Sequence, residues 1–400
     1  MKKRFLLAGT AILLAGAVLA LTGCGKQNGT TDENGNHVQV YSPQEAKQLG
    51  RTSYHADSKT LWCSLSGSGI DFLFYGKECS AELVGDSTWS SGITSSAHYA
   101  VYINGRQTHN EQMNEASRTV VIENPGDAEE PCAVRIVKLS ESAQSSLGIG
   151  NLTVTTPKDV YQNHKDATLI PAEAKPHLIE FIGDSITCGY GVDGNPDTDR
   201  FSALTEDCTK AYACVTAEKL NADYSLVCYS GHGILSGYTP TGSLNASDLV
   251  PKYYELDGHS YSTLSDGTKI QDDKWDFSEK PDLIVINLGT NDTSFTGSDN
   301  AKMRDFADSY VRFLKQIREK NPDAAILCTL GTMGTTLCDA VDLAVMNYKD
   351  ETGDENIRSM RFSQQDPAAD GIGIDWHPSA KTHEKSAETL SDYIRGWLKW

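Results

Sequence analysis

After Pro171 the chain carries four continuous apolar runs, His177 to Ile182, Tyr224 to Tyr229, Leu283 to Leu288 and Ala325 to Leu330, and amphipathic helical sequence follows them. A run without polar alternation suits a strand covered on both faces, as parallel sheets require. The clearest helix spans about Ala301 to Glu319, with Met303, Phe306, Tyr310, Phe313, Leu314 and Ile317 on one stripe and Asn321-Pro322 as its stop. A last helix follows Pro378-Ser379 and buries Ala387, Leu390, Ile394 and Leu398. Strand alternating with helix over more than two hundred residues predicts a doubly wound parallel sheet in a three-layer α/β/α sandwich. Its reactive groups belong at the carboxyl ends of the strands.

Four hundred residues exceed what one core usually serves, and the first half has a different texture. Short β-type runs, Phe72 to Tyr75, Tyr99 to Ile103, Thr119 to Ile122, Ala133 to Val137 and Leu152 to Thr155, are punctuated by Gly, Asn and Pro, with a hairpin turn at Asn104-Gly105. That pattern predicts an all-β sandwich over residues 38–168, followed by the α/β domain over 169–400. Residues 24–37 hold almost nothing apolar and read as a flexible tether.

Residues 1–23 read as an export signal: Lys2, Lys3 and Arg4 precede an apolar run from Phe5 to Leu21, shorter than the ~20 residues a bilayer span needs. Leu21-Thr22-Gly23-Cys24 resembles a bacterial lipobox. The resemblance implies cleavage before Cys24, a lipid on its thiol, and residence on the outer face of a bacterial membrane. The formal charge of −19 falls by three more when the basic signal residues leave, and such a surface repels nucleic acid and anionic headgroups. Of ten cysteines one is the expected anchor. Cys188, Cys208, Cys214, Cys228 and Cys328 lie in or beside predicted elements without metal-type spacing and read as buried thiols. No metal or cofactor is expected, and the chain is expected to act as a monomer.

The strand ends carry the chemistry. The first α/β strand ends in Gly183-Asp184-Ser185-Ile186-Thr187, which presents a hydroxyl on a tight turn. The second ends in Ser230-Gly231-His232-Gly233, where a glycine lets a backbone N–H approach a substrate oxygen. Gly231 and Gly233 are not separable on this pattern. The third ends in Gly289-Thr290-Asn291-Asp292, which offers a side-chain amide, and the last strand region delivers Asp375-Trp376-His377-Pro378. Ser185 as nucleophile, His377 as its base, and Asp375 as the group orienting the imidazole make a triad. The N–H of Ser185, the N–H of Gly231 and the amide of Asn291 make an oxyanion hole. A second Gly-Asp-Ser, Gly85-Asp86-Ser87, has no partner blocks after it and reads as a turn.

The strings FIGDSITCGYGV, SGHGI, VINLGTND and DWHPS resemble the SGNH/GDSL hydrolase superfamily, and carbohydrate esterase family 2 in particular. The resemblance places Ser185, Gly231, Asn291 and His377 on the four defining blocks, selects Gly231 over Gly233, and implies a jelly roll before the SGNH hydrolase domain. It implies removal of acetyl groups from sugar hydroxyls of a polysaccharide or oligosaccharide of the acetylxylan or acetylmannan type. In the wider superfamily the aspartate commonly sits three residues before the histidine, whereas position 374 here is Ile. Trp376 and Trp275 are the candidate sugar platforms, with Tyr190 given less weight, and His232 is left outside the site. Two alternatives stay open: an esterase on another ester, such as a peptidoglycan O-acetyl group or an acyl lipid, and a carbohydrate-binding surface lipoprotein without chemistry.

Overall fold

The computed structural model describes residues 29–400, so the signal sequence and Cys24 lie outside the described residues. Among the described residues no helix is long and apolar enough to cross a membrane. The first half is two antiparallel sheets face to face. One holds the strands His37–Tyr41, Thr60–Cys63, Glu78–Gly85, Ser117–Glu123 and Leu147–Thr156; the other holds Gly69–Phe74, His98–Ile103, Arg106–Gln112 and Cys132–Lys138. Glu78–Gly85 alternates strictly between half-buried and buried residues, the period-two pattern of a strand with one face on a core. Leu61, Ala81, Leu83 and Val154 from one sheet meet Ile70, Phe72 and Phe74 from the other. The predicted hairpin is present, with Asn104 and Gly105 both at positive φ as a two-residue turn demands.

Both expected boundaries shift. Thr30–Thr31 pairs with His37–Val38, so the second half of the expected tether is a hairpin, its turn fixed by Asp32 accepting the N–H groups of Asn34 and Asn36. At the other end Leu169–Pro171 pairs with Gly69–Phe74, which extends the sandwich past residue 168.

The second half is a five-stranded parallel sheet, β1 (His177–Gly183), β2 (Ala222–Cys228), β3 (Leu283–Asn287), β4 (Ala325–Thr332) and β5 (Ile357–Gln364), in the order β2-β1-β3-β4-β5. β3 and β4 are buried at every residue. The edge strand β5 was not legible as an apolar run, because only Ile357 and Phe362 are buried while arginines face outward. Helix Asn300–Lys320 is capped by Asp299, whose carboxylate accepts the N–H groups of Ala301 and Lys302, an arrangement worth about 0.5–2 kcal/mol. The chain reverses its winding between β1 and β3, and in such sheets the crevice outside that reversal is where ligands sit.

The two domains are joined through buried polar groups. The guanidinium of Arg51, from the sandwich, pairs with Glu180 of β1 at 2.9 Å and donates to the carbonyls of Tyr254 and Leu256. The segment 238–280 lies partly against the sandwich: Leu264 and Ile270 pack on Trp62, and Ser87 and Thr263 exchange hydrogen bonds of 2.8 and 2.9 Å. The nine cysteines from Cys63 to Cys338 are all free and buried.

Candidate active site

Ser185 begins a one-turn helix, Ser185–Cys188, directly after β1. Asp184 caps it, its Oδ1 accepting the Ile186 N–H at 3.0 Å. Burial, and after it the charge of Asp292, pushes the Asp184 carboxyl up to about 7. The turn that follows docks the histidine segment: Gly191, at φ +63°, accepts the Ile374 N–H at 3.2 Å, and a Cβ on Gly191 would lie 2.6 Å from that of Ile374. His377 Nε2 thereby reaches Ser185 Oγ at 2.7 Å, hydrogen-bonding distance for proton transfer. Burial holds the imidazole below the ordinary histidine value, so His377 is a neutral base at neutral pH.

The third member of the expected triad is elsewhere. His377 Nδ1 faces the carbonyl of Ile374 at 3.1 Å, while the Asp375 carboxylate, exposed, accepts the Tyr190 hydroxyl at 2.9 Å. An extended segment would have set Asp375 and His377 on one side. Instead Ile374–Trp376 is a tight turn with Asp375 at φ 51° and Trp376 at φ 64°, which swings the carboxylate away. Asp375 still favours the protonated imidazole through its charge. Tyr190, underweighted from sequence, stacks on His377 at 4.2 Å and on Phe201 at 4.0 Å, bracing the base from its ring face. Nothing local in the sequence pairs Tyr190 with a residue 187 positions later.

The expected oxyanion donors converge from the ends of three strands. Gly231 and Gly233, inseparable by pattern, are separated by their surroundings. Gly233 has its N–H bound to the Asp248 carbonyl, and a Cβ there would meet Ser236 O at 2.1 Å. Gly231, at φ +76°, has open space where a Cβ would stand, and its N–H has no acceptor among the described residues; neither has the N–H of Ser185. Asn291 lies between the first two loops, its amide donating to His232 O at 2.9 Å and reaching Asp184 Oδ2 at 3.4 Å. The second contact is long for N–H···O, which leaves that N–H the one available to a substrate oxygen. Asp292, given no role from sequence, is buried and accepts the N–H groups of Ile234, Leu235 and Ser236, folding the loop beyond Gly231. Burial pushes its carboxyl up to about 6 even against those three donors.

Of the two expected tryptophan platforms, Trp376 directly precedes His377 and is 65% exposed. Trp275 is not brought to the site. It packs on the hydrolase core, with the Arg51 guanidinium 5.5 Å over its ring. Among the described residues one group of metal-type ligands, Glu141, Cys188 and Glu206, comes within 4.8 Å, sealed from solvent and sharing its space with the buried Lys138 ammonium. Burial pushes the Lys138 amine's value down, against the pull of the Glu206 and Asp86 charges.

The arrangement can carry acyl transfer. Ser185 Oγ attacks an ester carbonyl as His377 Nε2 takes its proton, the free N–H groups meet the oxygen that becomes negative, and His377 returns the proton to the leaving alcohol. Water then repeats the sequence on the acyl-serine and releases the acid.

The description GDSL-like Lipase/Acylhydrolase matches residues 179–390, and Carbohydrate esterase 2 N-terminal matches residues 48–162. Cellulase/esterase CelE of Acetivibrio thermocellus is 32% identical over 351 residues, 84% of this chain, which spans 38% of CelE's length. An acetylxylan esterase / glucomannan deacetylase of Cellvibrio japonicus is 30% identical over 296 residues, 69% of this chain and 74% of its own. Among solved structures, a family two carbohydrate esterase from Clostridium thermocellum in complex with cellohexaose superposes with a TM-score of 0.72 at 27% identity, covering 90% of this chain and 99% of that one. Sandwich and parallel sheet agree with these likenesses: the chain belongs to the GDSL-like lipase/acylhydrolases, within carbohydrate esterase family 2.

Proposed function

We propose that the chain removes O-acetyl groups from sugar hydroxyls of plant-type polysaccharide or its oligosaccharides, with Ser185 as nucleophile and His377 as base. The 2.7 Å contact between Ser185 Oγ and His377 Nε2, beside two N–H groups without acceptors, carries the reading. It also counts against a carbohydrate-binding surface protein without chemistry. The names of the Clostridium and Cellvibrio relatives support a carbohydrate ester. An exposed indole at Trp376 supports a pyranose platform at the leaving-group side. The base works as the second half of a Ser-His dyad, its Nδ1 held by a backbone carbonyl. Lipidation at Cys24, with the enzyme held outside the membrane to trim oligosaccharides before uptake, is part of the same proposal.

Acetate release from acetylated xylan and mannan oligosaccharides, beside O-acetylated peptidoglycan and long-chain acyl esters, tests it. Faster turnover of the oligosaccharides supports the reading, and preference for either of the other two replaces it. For the anchor, lipid on the Cys24 terminus of membrane-bound protein is the expected outcome, and unmodified protein wholly in the medium contradicts it.

A further inference from the structure

The oxyanion loop is held at its near end by a carboxylate from the other domain. Glu141 lies in the connection from Cys132–Lys138 to Leu147–Thr156 of the sandwich and is buried, its Oε2 accepting the Ser230 N–H at 2.8 Å. That connection is wound around the buried ammonium of Lys138, which donates to the carbonyls of Ser140 at 2.6 Å and Glu141 at 2.9 Å. The Glu141 N–H donates to Glu206 Oε2 at 2.7 Å, and Ser142 Oγ donates to the His259 carbonyl at 2.8 Å. The Lys138 and Glu206 bonds hold the Glu141 backbone itself and so fix the carboxylate, while the Ser142 bond ties the connection to the hydrolase domain one residue further on.

What it holds is the residue before Gly231. The peptide between Ser230 and Gly231 is planar, so its C=O and its N–H point in opposite directions. Ser230 O accepts His232 Nδ1 at 2.9 Å, and the Gly231 N–H on the other side of the plane has no acceptor among the described residues. Gly231, at positive φ with open space where a Cβ would stand, is tied only through its carbonyl, which accepts the Tyr238 N–H at 2.7 Å on the far side of the residue. Asp292 clamps the loop from Ile234 onward, two residues past His232. Without the Glu141 bond, the Ser230 N–H loses its acceptor and the near end is held only by bonds within the loop, the His232 N–H to the Tyr229 carbonyl at 3.3 Å and His232 Nδ1 to Ser230 O.

We propose that Glu141 is a positioning residue for catalysis: by holding the Ser230 N–H it anchors the residue whose following peptide carries the Gly231 N–H, and so keeps that N–H aimed at the oxyanion, which makes the β-sandwich a working part of the active site. The proposal rests on Gly231 serving as an oxyanion donor.

Two variants separate reach from charge. Glu141→Gln keeps an oxygen at the same distance to accept the Ser230 N–H. Glu141→Asp keeps the charge and withdraws it by one methylene. On 4-nitrophenyl acetate, Glu141→Asp is expected to lower kcat about tenfold or more with KM within twofold, and Glu141→Gln to stay within about threefold of the parent, as misdirecting one oxyanion donor demands. Ser142→Ala, which loosens the same connection elsewhere, is expected to keep the parent kcat. The reverse order, Gln losing turnover and Asp keeping it, overturns the proposal, as do a parent-like kcat in both variants, equal losses in both, or a loss at Ser142→Ala as large as that at Glu141→Asp. If Glu141→Asp does not fold, a loss in Glu141→Gln beyond threefold is sufficient to overturn it, and retention with the Ser230 amide protected from hydrogen exchange as in the parent supports it. Asn291→Ala measured alongside keeps the two readings apart: its loss of turnover upholds the oxyanion hole whatever Glu141 shows.

Discussion

The chain contains Gly-Asp-Ser twice, and the two copies share their local chemistry. Gly85 ends a strand as Gly183 does, and both aspartates are buried. Asp86 accepts the N–H of Thr88, two residues on, at 2.9 Å; Asp184 accepts that of Ile186 at 3.0 Å. The tripeptide is thus a turn-forming unit in both places. The difference lies in what converges on the serine. The first copy sits at the rim of an antiparallel sandwich, where Ser87 Oγ accepts the Thr263 N–H and serves to join the domains. The second sits at the reversal point of a parallel sheet, where the loops after β2 and β3 end at the same edge and bring Gly231 and Asn291 beside it. Topology, more than the tripeptide, sets Ser185 apart and supports it as the proposed nucleophile.

Substituting each serine gives the largest contrast. Ser185→Ala is expected to cost about 10⁴-fold or more in kcat on 4-nitrophenyl acetate, and Ser87→Ala to leave it within twofold. Equal losses in folded proteins would erase the distinction. Asn291→Ala sharpens the role of the third strand: a fall of about 10²-fold in kcat at little changed KM is expected, whereas a pure KM effect would make it a substrate-binding residue.

Asp375 gives a smaller effect. An aspartate that alone fixes the histidine tautomer costs about 10⁴-fold when changed to asparagine. With the Ile374 carbonyl at 3.1 Å doing the holding, Asp375→Asn is expected to cost about tenfold or less in kcat, and a loss of several orders of magnitude would restore the triad. At the sandwich copy, Asp86→Ala removes the acceptor of the Thr88 and Ser146 N–H groups. It is expected to lower stability by about 1–3 kcal/mol in denaturant unfolding without changing kcat. The smallest effect is on the pH profile. Activity needs neutral His377, whose value burial lowers, so kcat/KM is lost only as pH falls through a midpoint below about 6.5. A midpoint above 7 would mean that a negative partner dominates the imidazole.

The features legible in sequence were those written in short stretches. Four strand-end blocks gave Ser185, Gly231, Asn291 and His377, and burial on both faces made β1 to β4 readable as apolar runs, while the edge strand β5, with arginines outward, was not. Long-range geometry was not readable. Gly231 and Gly233 differ only in what surrounds them. Asp375 depended on a backbone turn with two successive positive φ angles, and Trp275 on an arginine more than two hundred residues upstream. Tyr190, Asp292 and Glu141 act through partners distant in the chain, so no local pattern marks them.

Covalent labelling tests the central claim most directly. A fluorophosphonate reacts only with a serine whose hydroxyl is activated by a base and faced by oxyanion donors, so the intact chain treated with one equivalent and digested for mass spectrometry reads out both Gly-Asp-Ser copies at once. The adduct is expected on the peptide containing Ser185, none on that containing Ser87, and none at all in His377→Ala. An adduct on Ser87, or undiminished labelling of Ser185 without His377, would contradict the account.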